Sequence, residues 1–436
     1  LASNTSRGLA AAVSGAVGEG LLLADSPLPP IRSVAEQLGV SASTVSSAWE
    51  MLSRAGVIRT DGRRGTRVAR HDTPGPTRYR RALRHSHGAV LDLSLGVPDA
   101  TLLPDLSAAL CHLTPSSSQN YLDEPLLPEL REVLQGQWPH RTDQLTMVDG
   151  AMDAVDQVLS LLVRIGDTVI VEHPTFPPFL DLLDAMGART LGVGIDDEGM
   201  VPEELERAIS SNAKVLLCQP RSHNPTGIST SPRRAKILAT VLSSWSGWVV
   251  EDDSAGSISQ VAPISLAKWR PDTTVHIRSF SKSHGPDLRL AAVSAPEELM
   301  QRLIDRRMLG QGWTSRLLQS LLLDLLTRPA SVAQVARARD HYGDRRARLV
   351  AELKRLGIRV KGADGLNVWL RVKDENAAML LLASRGIAVA AGSPFETKDD
   401  TQHHVRITIA TLAYDVTGLA RNLFDAAQAE PAWGPR

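Results

Sequence analysis

Aromatic side chains are scarce in this chain, at 4% of 436 residues. The core must therefore be built mostly from Leu, Val and Ala. Cysteine is scarcer still. Cys111 and Cys218 cannot make a disulfide framework, which points to a reducing, cytoplasmic setting. No apolar run reaches the ~18 residues that span a bilayer. The first residues also lack the basic-then-apolar layout of an export signal. One absence is local. Residues 1–81 contain no lysine, yet hold 11 arginines against 6 acids, a net +5. The remainder carries −5, so the whole is neutral. A basic front end on an acidic body implies an anionic partner for the front end alone.

What is present is ordinary for a folded protein: 43% hydrophobic and 22% charged residues, at a length that allows two or three domains. Residues 5–20 read as a helix with an Ala/Leu/Val face. After the break at Pro27-Leu-Pro-Pro30, Arg32–Leu38 reads as a short amphipathic helix stopped by Gly39. Ser41 caps a second helix over 42–54, with Val45, Trp49 and Leu52 inward. Val57–Thr60 and Thr66–Ala69 flank the basic tip Asp61-Gly-Arg-Arg-Gly65, which predicts a β-hairpin.

Pro29-Pro-Ile-Arg32, Val40-Ser-Ala-Ser-Thr-Val45 and Gly65-Thr-Arg-Val68 together resemble the GntR-type winged helix-turn-helix. The resemblance implies double-stranded operator DNA as partner. Ser41, Ser43 and Thr44 would enter the major groove, Arg32 would meet a phosphate, and Arg63 and Arg64 would carry the wing toward the minor groove. This domain is expected over residues 1–70. Residues 71–91 are polar and basic with Pro and Gly, and read as a partly extended linker whose arginines, Arg78 among them, are expected to be solvated, with DNA contact the other reading.

In residues 92–436 short apolar runs alternate with helical patterns. Thr168–Val171, Val215–Cys218 and Gly247–Val250 predict a buried, mainly parallel sheet, with functional residues at the strands' carboxyl ends. A large part is expected over about 120–325 and a small C-terminal α+β part over about 326–430. The most informative stretch is Ser279-Phe-Ser-Lys-Ser-His-Gly-Pro-Asp-Leu-Arg289. The Lys282 amine can condense with an aldehyde, while Ser279, Ser281 and Arg289 can hold a dianionic phosphate. Pyridoxal 5′-phosphate (PLP) needs that combination.

The stretch resembles the PLP-lysine motif of class I aminotransferases, whose fold-type I architecture the body is then expected to share. Further segments resemble that family. Pro220-Arg-Ser-His-Asn-Pro-Thr-Gly227 implies Asn224 as donor to the cofactor's O3′ oxygen. Val249-Val-Glu-Asp-Asp-Ser254 implies a carboxylate on the ring nitrogen, Asp252 or alternatively Asp253. Val148-Asp-Gly-Ala-Met-Asp153 implies a phosphate seat on the N–H groups of Gly150, Ala151 and Met152. Phe176 would stack on the ring, and Arg406 would fork onto an amino-acid carboxylate. Tyr121 would reach the phosphate of a neighbouring subunit, although the family's glycine is Leu126 here and a core tyrosine is the other reading. Where the family shows a tyrosine donating to O3′, this chain has Ser254.

A GntR winged helix ahead of an aminotransferase-like body is the layout of the MocR family of transcription regulators. The resemblance implies a PLP-binding homodimer whose body senses PLP or an amine or amino-acid effector. A working aminotransferase that merely carries a DNA-binding front end is the alternative. No metal site is expected.

Overall fold

The computed structural model describes residues 5–18, 21–23, 25–54, 57–61, 65–69, 77–83, 89–113, 123–398, 402–412 and 416–430. Among them no helix is long and apolar enough to cross a membrane.

Three helices open the chain: α1 (Ser6–Gly18), α2 (Ile31–Leu38) and α3 (Ala42–Arg54). Gly39 ends α2 in the left-handed region at φ 64°, returning its N–H to the Ala35 and Glu36 carbonyls. Ser41 starts α3, its Oγ accepting from Thr44 N at 3.0 Å. Val45, Trp49 and Leu52 turn inward and pack with Leu9 and Val34. Strands β1 (Ile58–Asp61) and β2 (Gly65–Val68) pair antiparallel as the wing. The expected tip residues Arg63 and Arg64 lie outside the described residues. The winged helix rests on the body, where Ile165 joins its core and Arg7 pairs with Asp167 at 3.2 Å.

The linker is less extended than its composition predicts. It contains a docked helix, α4 (Thr77–Ala82). Arg78 is half-buried there and paired, not freely solvated. It pairs with Asp184 at 2.5 Å and Asp181 at 3.2 Å, both on the Pro177–Ala185 helix, and its backbone N–H also donates to Asp181. Two spaced carboxylates on one helix face capture the guanidinium, a tertiary effect that local composition does not encode.

After β3 (Leu91–Asp92) the body forms around one eight-stranded sheet. Its strands are β4 (Leu145–Val148), β5 (Thr168–His173), β6 (Arg189–Asp196), β7 (Gly199–Met200), β8 (Val215–Cys218), β9 (Trp248–Asp253), β10 (Thr274–Ser279) and β11 (Ala291–Ser294). The spatial order is β4-β11-β10-β9-β8-β5-β6-β7. The central run β10-β9-β8-β5-β6 is parallel, while β11 and β7 run antiparallel. The Ala151–Leu162, Pro177–Ala185 and Glu297–Met308 helices cover one face, and the Pro202–Ile209 and Pro232–Val241 helices cover the other. Leu, Val, Ile and Ala dominate both layers, as the shortage of aromatics requires. The long Pro329–Arg355 helix then leads into the three-stranded sheet β12 (Asn367–Val372), β15 (His403–Thr408) and β14 (Ala390–Ala391). β13 (Ile387–Ala388) pairs parallel with β3, tying the C-terminal part back to the start of the body.

Candidate cofactor site and DNA-reading face

Parallel strands bring their carboxyl ends to one edge, and the site assembles there. Asp252 is the last residue but one of β9, Lys282 follows β10, Asn224 follows β8, Phe176 follows β5, and Gly150 follows β4.

Asp252 is 3% exposed, and its two oxygens differ. Oδ2 accepts from Gln219 Nε2 at 2.8 Å, whereas the buried Oδ1 has no partner. Burial pushes the carboxyl up to about 6, against the Gln219 hydrogen bond and the nearby Lys282 charge. An unpaired buried carboxylate oxygen is costly, so this one is suited to a cationic N–H donor. Its neighbour is occupied. Asp253 is gripped by Arg221, which with His276 holds it below the usual carboxylate range although burial works the other way. The geometry therefore favours Asp252 over Asp253 as the ring-nitrogen partner.

Lys282 lies on the same side. Its Nζ is 3.4 Å from Ser254 Oγ, and Gln219 Nε2 is also 3.4 Å from that hydroxyl. Burial lowers the ammonium pKa. Asp252 resists this and Arg406 adds to it. A lysine shifted down holds more of the neutral amine that attacks an aldehyde.

Asn224 Oδ1 accepts from Arg406 Nη1 at 3.3 Å and Asn367 Nδ2 at 3.2 Å. Among the described residues its own Nδ2 meets no acceptor, so that amide is left to donate into the site. Arg406 comes from β15 and is 2% exposed. It donates to the Ser94 carbonyl and lies over the Phe395 ring at 5.2 Å. No carboxylate pairs with it among the described residues. Burial pushes its guanidinium down to about 10, opposed by Tyr79.

Gly150 precedes the Ala151–Leu162 helix at φ 110°. A Cβ there would lie 2.7 Å from Arg289 Nη2, so only glycine leaves room for the guanidinium at this helix N-terminus. Arg289 Nη2 also reaches the Asp149 carbonyl at 3.4 Å. Asp149 and Asp153 would spoil an anion seat, but Arg307 neutralises both, at 3.0 and 3.2 Å. The start of this helix, with Ala151 and Met152, and the Arg289 guanidinium thus stand together, an arrangement chemically suited to an anion. Ser279 and Ser281 belong to the turn carrying Lys282, where Ser279 Oγ accepts from Ser281 N at 3.3 Å. Tyr121 lies outside the described residues.

Two contributors escape a reading of the sequence. Gln219 ties Asp252, Ser254 and the Asn224 backbone together, donating to the first two and accepting from Asn224 N at 3.0 Å. It directly follows β8, so the strand-end rule could have found it. Tyr79 sits in the stretch read as linker, and its ring edge meets Phe176 with centroids 6.3 Å apart. Being one of four tyrosines is its only signal.

On the other domain, Arg32, Ser41 and Ser43 are exposed and Thr44 is half-buried at the start of α3. Ser41 Oγ lies 2.7 Å from Ser43 Oγ and 2.8 Å from Thr44 Oγ1, a hydroxyl cluster on the helix's open end.

Two family models match the chain. Residues 5–68 match the gntR family of bacterial regulatory proteins, and residues 89–418 match class I and II aminotransferases. The vitamin B6 salvage pathway transcriptional repressor PtsJ of Salmonella typhimurium is 35% identical over 408 residues, covering 90% of this chain and 91% of that protein. The chain belongs to the MocR family. Another relative is the pyridoxine biosynthesis regulator PdxR of Corynebacterium glutamicum, 27% identical over 405 residues, 87% of this chain and 86% of that protein. Solved structures share the fold of the MocR body. A Pyrococcus horikoshii kynurenine aminotransferase superposes with a TM-score of 0.71 at 19% identity, covering 79% of this chain and 92% of that one. The Thermus thermophilus α-aminoadipate aminotransferase LysN, complexed with N-(5′-phosphopyridoxyl)-L-leucine, gives 0.70 at 23%, covering 78% and 92%. The chain is thus a DNA-binding transcription regulator fused to a PLP-type aminotransferase fold.

Proposed function

We propose that this regulator binds PLP at the Lys282 site and operator DNA through α3 and the wing, and that occupancy of the first changes affinity for the second. The observation that carries the PLP assignment is the partnerless buried Oδ1 of Asp252 beside Lys282. Asp252 would hold the ring nitrogen, Lys282 the aldehyde carbon, Asn224 the O3′ oxygen, and Gly150, Ala151, Met152 and Arg289 the phosphate, with Ser279 and Ser281 beside them. Phe176 would cover the ring, and Tyr121 would come from a second subunit of a homodimer. The bound cofactor supplies a carbonyl that captures amines and a ring that withdraws electrons. Arg406 would take the carboxylate of an amino-acid effector.

Regulation is favoured over turnover at Ser254. Its short hydroxyl reaches Lys282 and Gln219, leaving Asn224 as the protein donor to O3′. α4 supplies the route outward. It joins the DNA-binding domain to the body and sets Tyr79 against Phe176, within electrostatic reach of Arg406. The same contacts make the cofactor face and the carboxylate site visible to the linker.

The assignment is tested by adding PLP, reducing with borohydride and mapping the modified peptide. Visible absorbance and a cofactor adduct on Lys282 are expected. A colourless protein with no adduct there overturns the assignment.

A further inference from the structure

The face of the sheet opposite the cofactor site carries a second polar assembly. Across the parallel pair β9 and β10, Glu251 stands beside His276, and Asp253 beside Arg278. Successive strand residues point to opposite faces, so this row faces away from Asp252. His276 Nδ1 meets Glu251 at 2.9 Å, and Asp253 is held by Arg221. Arg221 also donates to the Gly256 and Val261 carbonyls. Asp253 is thereby taken, and its strand neighbour Arg278 has no ion pair among the described residues.

Arg278 is 8% exposed. Its Nη2 is 3.1 Å from both Gln137 Oε1 and Ser257 Oγ, which are neutral, and the guanidinium lies 5.4 Å from the centre of the Phe280 ring. Its remaining N–H donors, on Nε and Nη1, meet no protein acceptor among the described residues. The side chain lines a cleft of about 470 Å³ shared with Arg221, Asp253 and Gln260, with Arg339 at the rim. Asp253 attracts this guanidinium without pairing with it, being held by Arg221, so the free donors of Arg278 are left facing the cleft. Two other buried arginines, outside the cofactor site, are better satisfied. Arg346 is wrapped by the carbonyls of Asn367, Lys361 and Gly362, and Arg307 has two carboxylates.

We propose that this cleft is a second ligand site, for a small oxyanion that accepts the free fork of Arg278. Phosphate and carboxylate groups both match that planar pair of donors. The site lies across the sheet from Lys282 and shares β9 with it through adjacent residues, Asp252 on one face and Asp253 on the other. An anion there competes with Asp253 for the local arginines, giving a physical link between the two faces.

The experiment uses full-length, PLP-loaded protein, in which the phosphate cradle is filled. Uptake of inorganic phosphate and, in a separate arm, of succinate is measured by equilibrium dialysis. Saturable uptake in one arm names the anion class. Arg278→Gln is expected to weaken it by about 10- to 100-fold, the usual cost of removing a charged hydrogen-bond donor. Arg339→Gln, at the solvent-facing rim, is the safeguard should Arg278→Gln fail to fold, and should weaken uptake by at least about 3-fold. Arg289→Ala, which damages only the cofactor's phosphate seat, should leave this uptake intact. That arm separates failure of this site from failure of the PLP assignment. No saturable uptake of either anion overturns the inference. So does uptake lost in Arg289→Ala but unchanged in both Arg278→Gln and Arg339→Gln.

Discussion

Tyr79 sets its ring edge-on to Phe176, with centroids 6.3 Å apart and planes at 75°. One residue belongs to the segment leaving the DNA-binding domain, and the other follows the strand that frames the cofactor pocket. Removing the ring should uncouple the two without dismantling either. Tyr79→Ala is expected to retain visible cofactor absorbance and operator binding in the absence of effector. The response of operator affinity to PLP should shrink by about 1 kcal/mol of coupling, the scale of one aromatic pair. Paired anisotropy titrations read this directly, and an unchanged response places the route elsewhere.

Asp252 makes a prediction about stability. Burial raises its carboxyl to about 6, from an ordinary 3.8. A raised carboxyl favours the folded state while protonated, and that advantage is lost as pH rises from about 4 through 6. Cofactor-free Asp252→Asn should therefore match wild type in acid and exceed it at neutral pH, by at most about 3 kcal/mol. It should also bind PLP more weakly. Urea unfolding of both cofactor-free proteins across this range provides the measurement. Equal stability at neutral pH would mean the carboxylate finds a partner before the cofactor arrives.

Exposed Arg32 and the hydroxyl cluster at the start of α3 imply different defects. Affinity of the full-length protein for operator should fall steeply with salt. Arg32→Ala should weaken binding to all sequences and flatten the salt slope by about one unit. Thr44→Ala should change preference at particular base pairs, by about 1–3 kcal/mol for a good base contact. A Thr44→Ala protein with unaltered sequence preference removes that side chain from base reading.

Much of this was legible in the chain because local chemistry was strong. Gly39 and Ser41 mark helix ends by backbone rules, and both do so in the structure. The buried strands announced themselves as apolar runs ending in polar residues, and those ends meet at one edge. Asp252 and Asp253 could not be told apart by adjacency. Both are buried, and the Arg221 contact to Asp253 alone sets them apart, a contact that arises only when β8 and β9 lie side by side. Arg78 and Tyr79 were hidden for the same reason, since their partners lie about a hundred residues away on the body. The role of Ser254 was visible only as a shortfall, whereas the structure shows its hydroxyl turned to Lys282.

The central claim is that the Lys282 site and the winged helix are linked. A ligand shifts a two-state protein only by its difference in affinity for the two states. Lys282 is remote in sequence from the DNA-reading residues, so Lys282→Ala should leave that surface intact. The decisive measurement is an operator titration by fluorescence anisotropy, for wild type and Lys282→Ala, with and without PLP. Wild type should respond by roughly 5- to 150-fold, the usual range of allosteric coupling. Lys282→Ala should bind the operator and ignore PLP. Equal responses in the two proteins, or no response in either, would contradict the account.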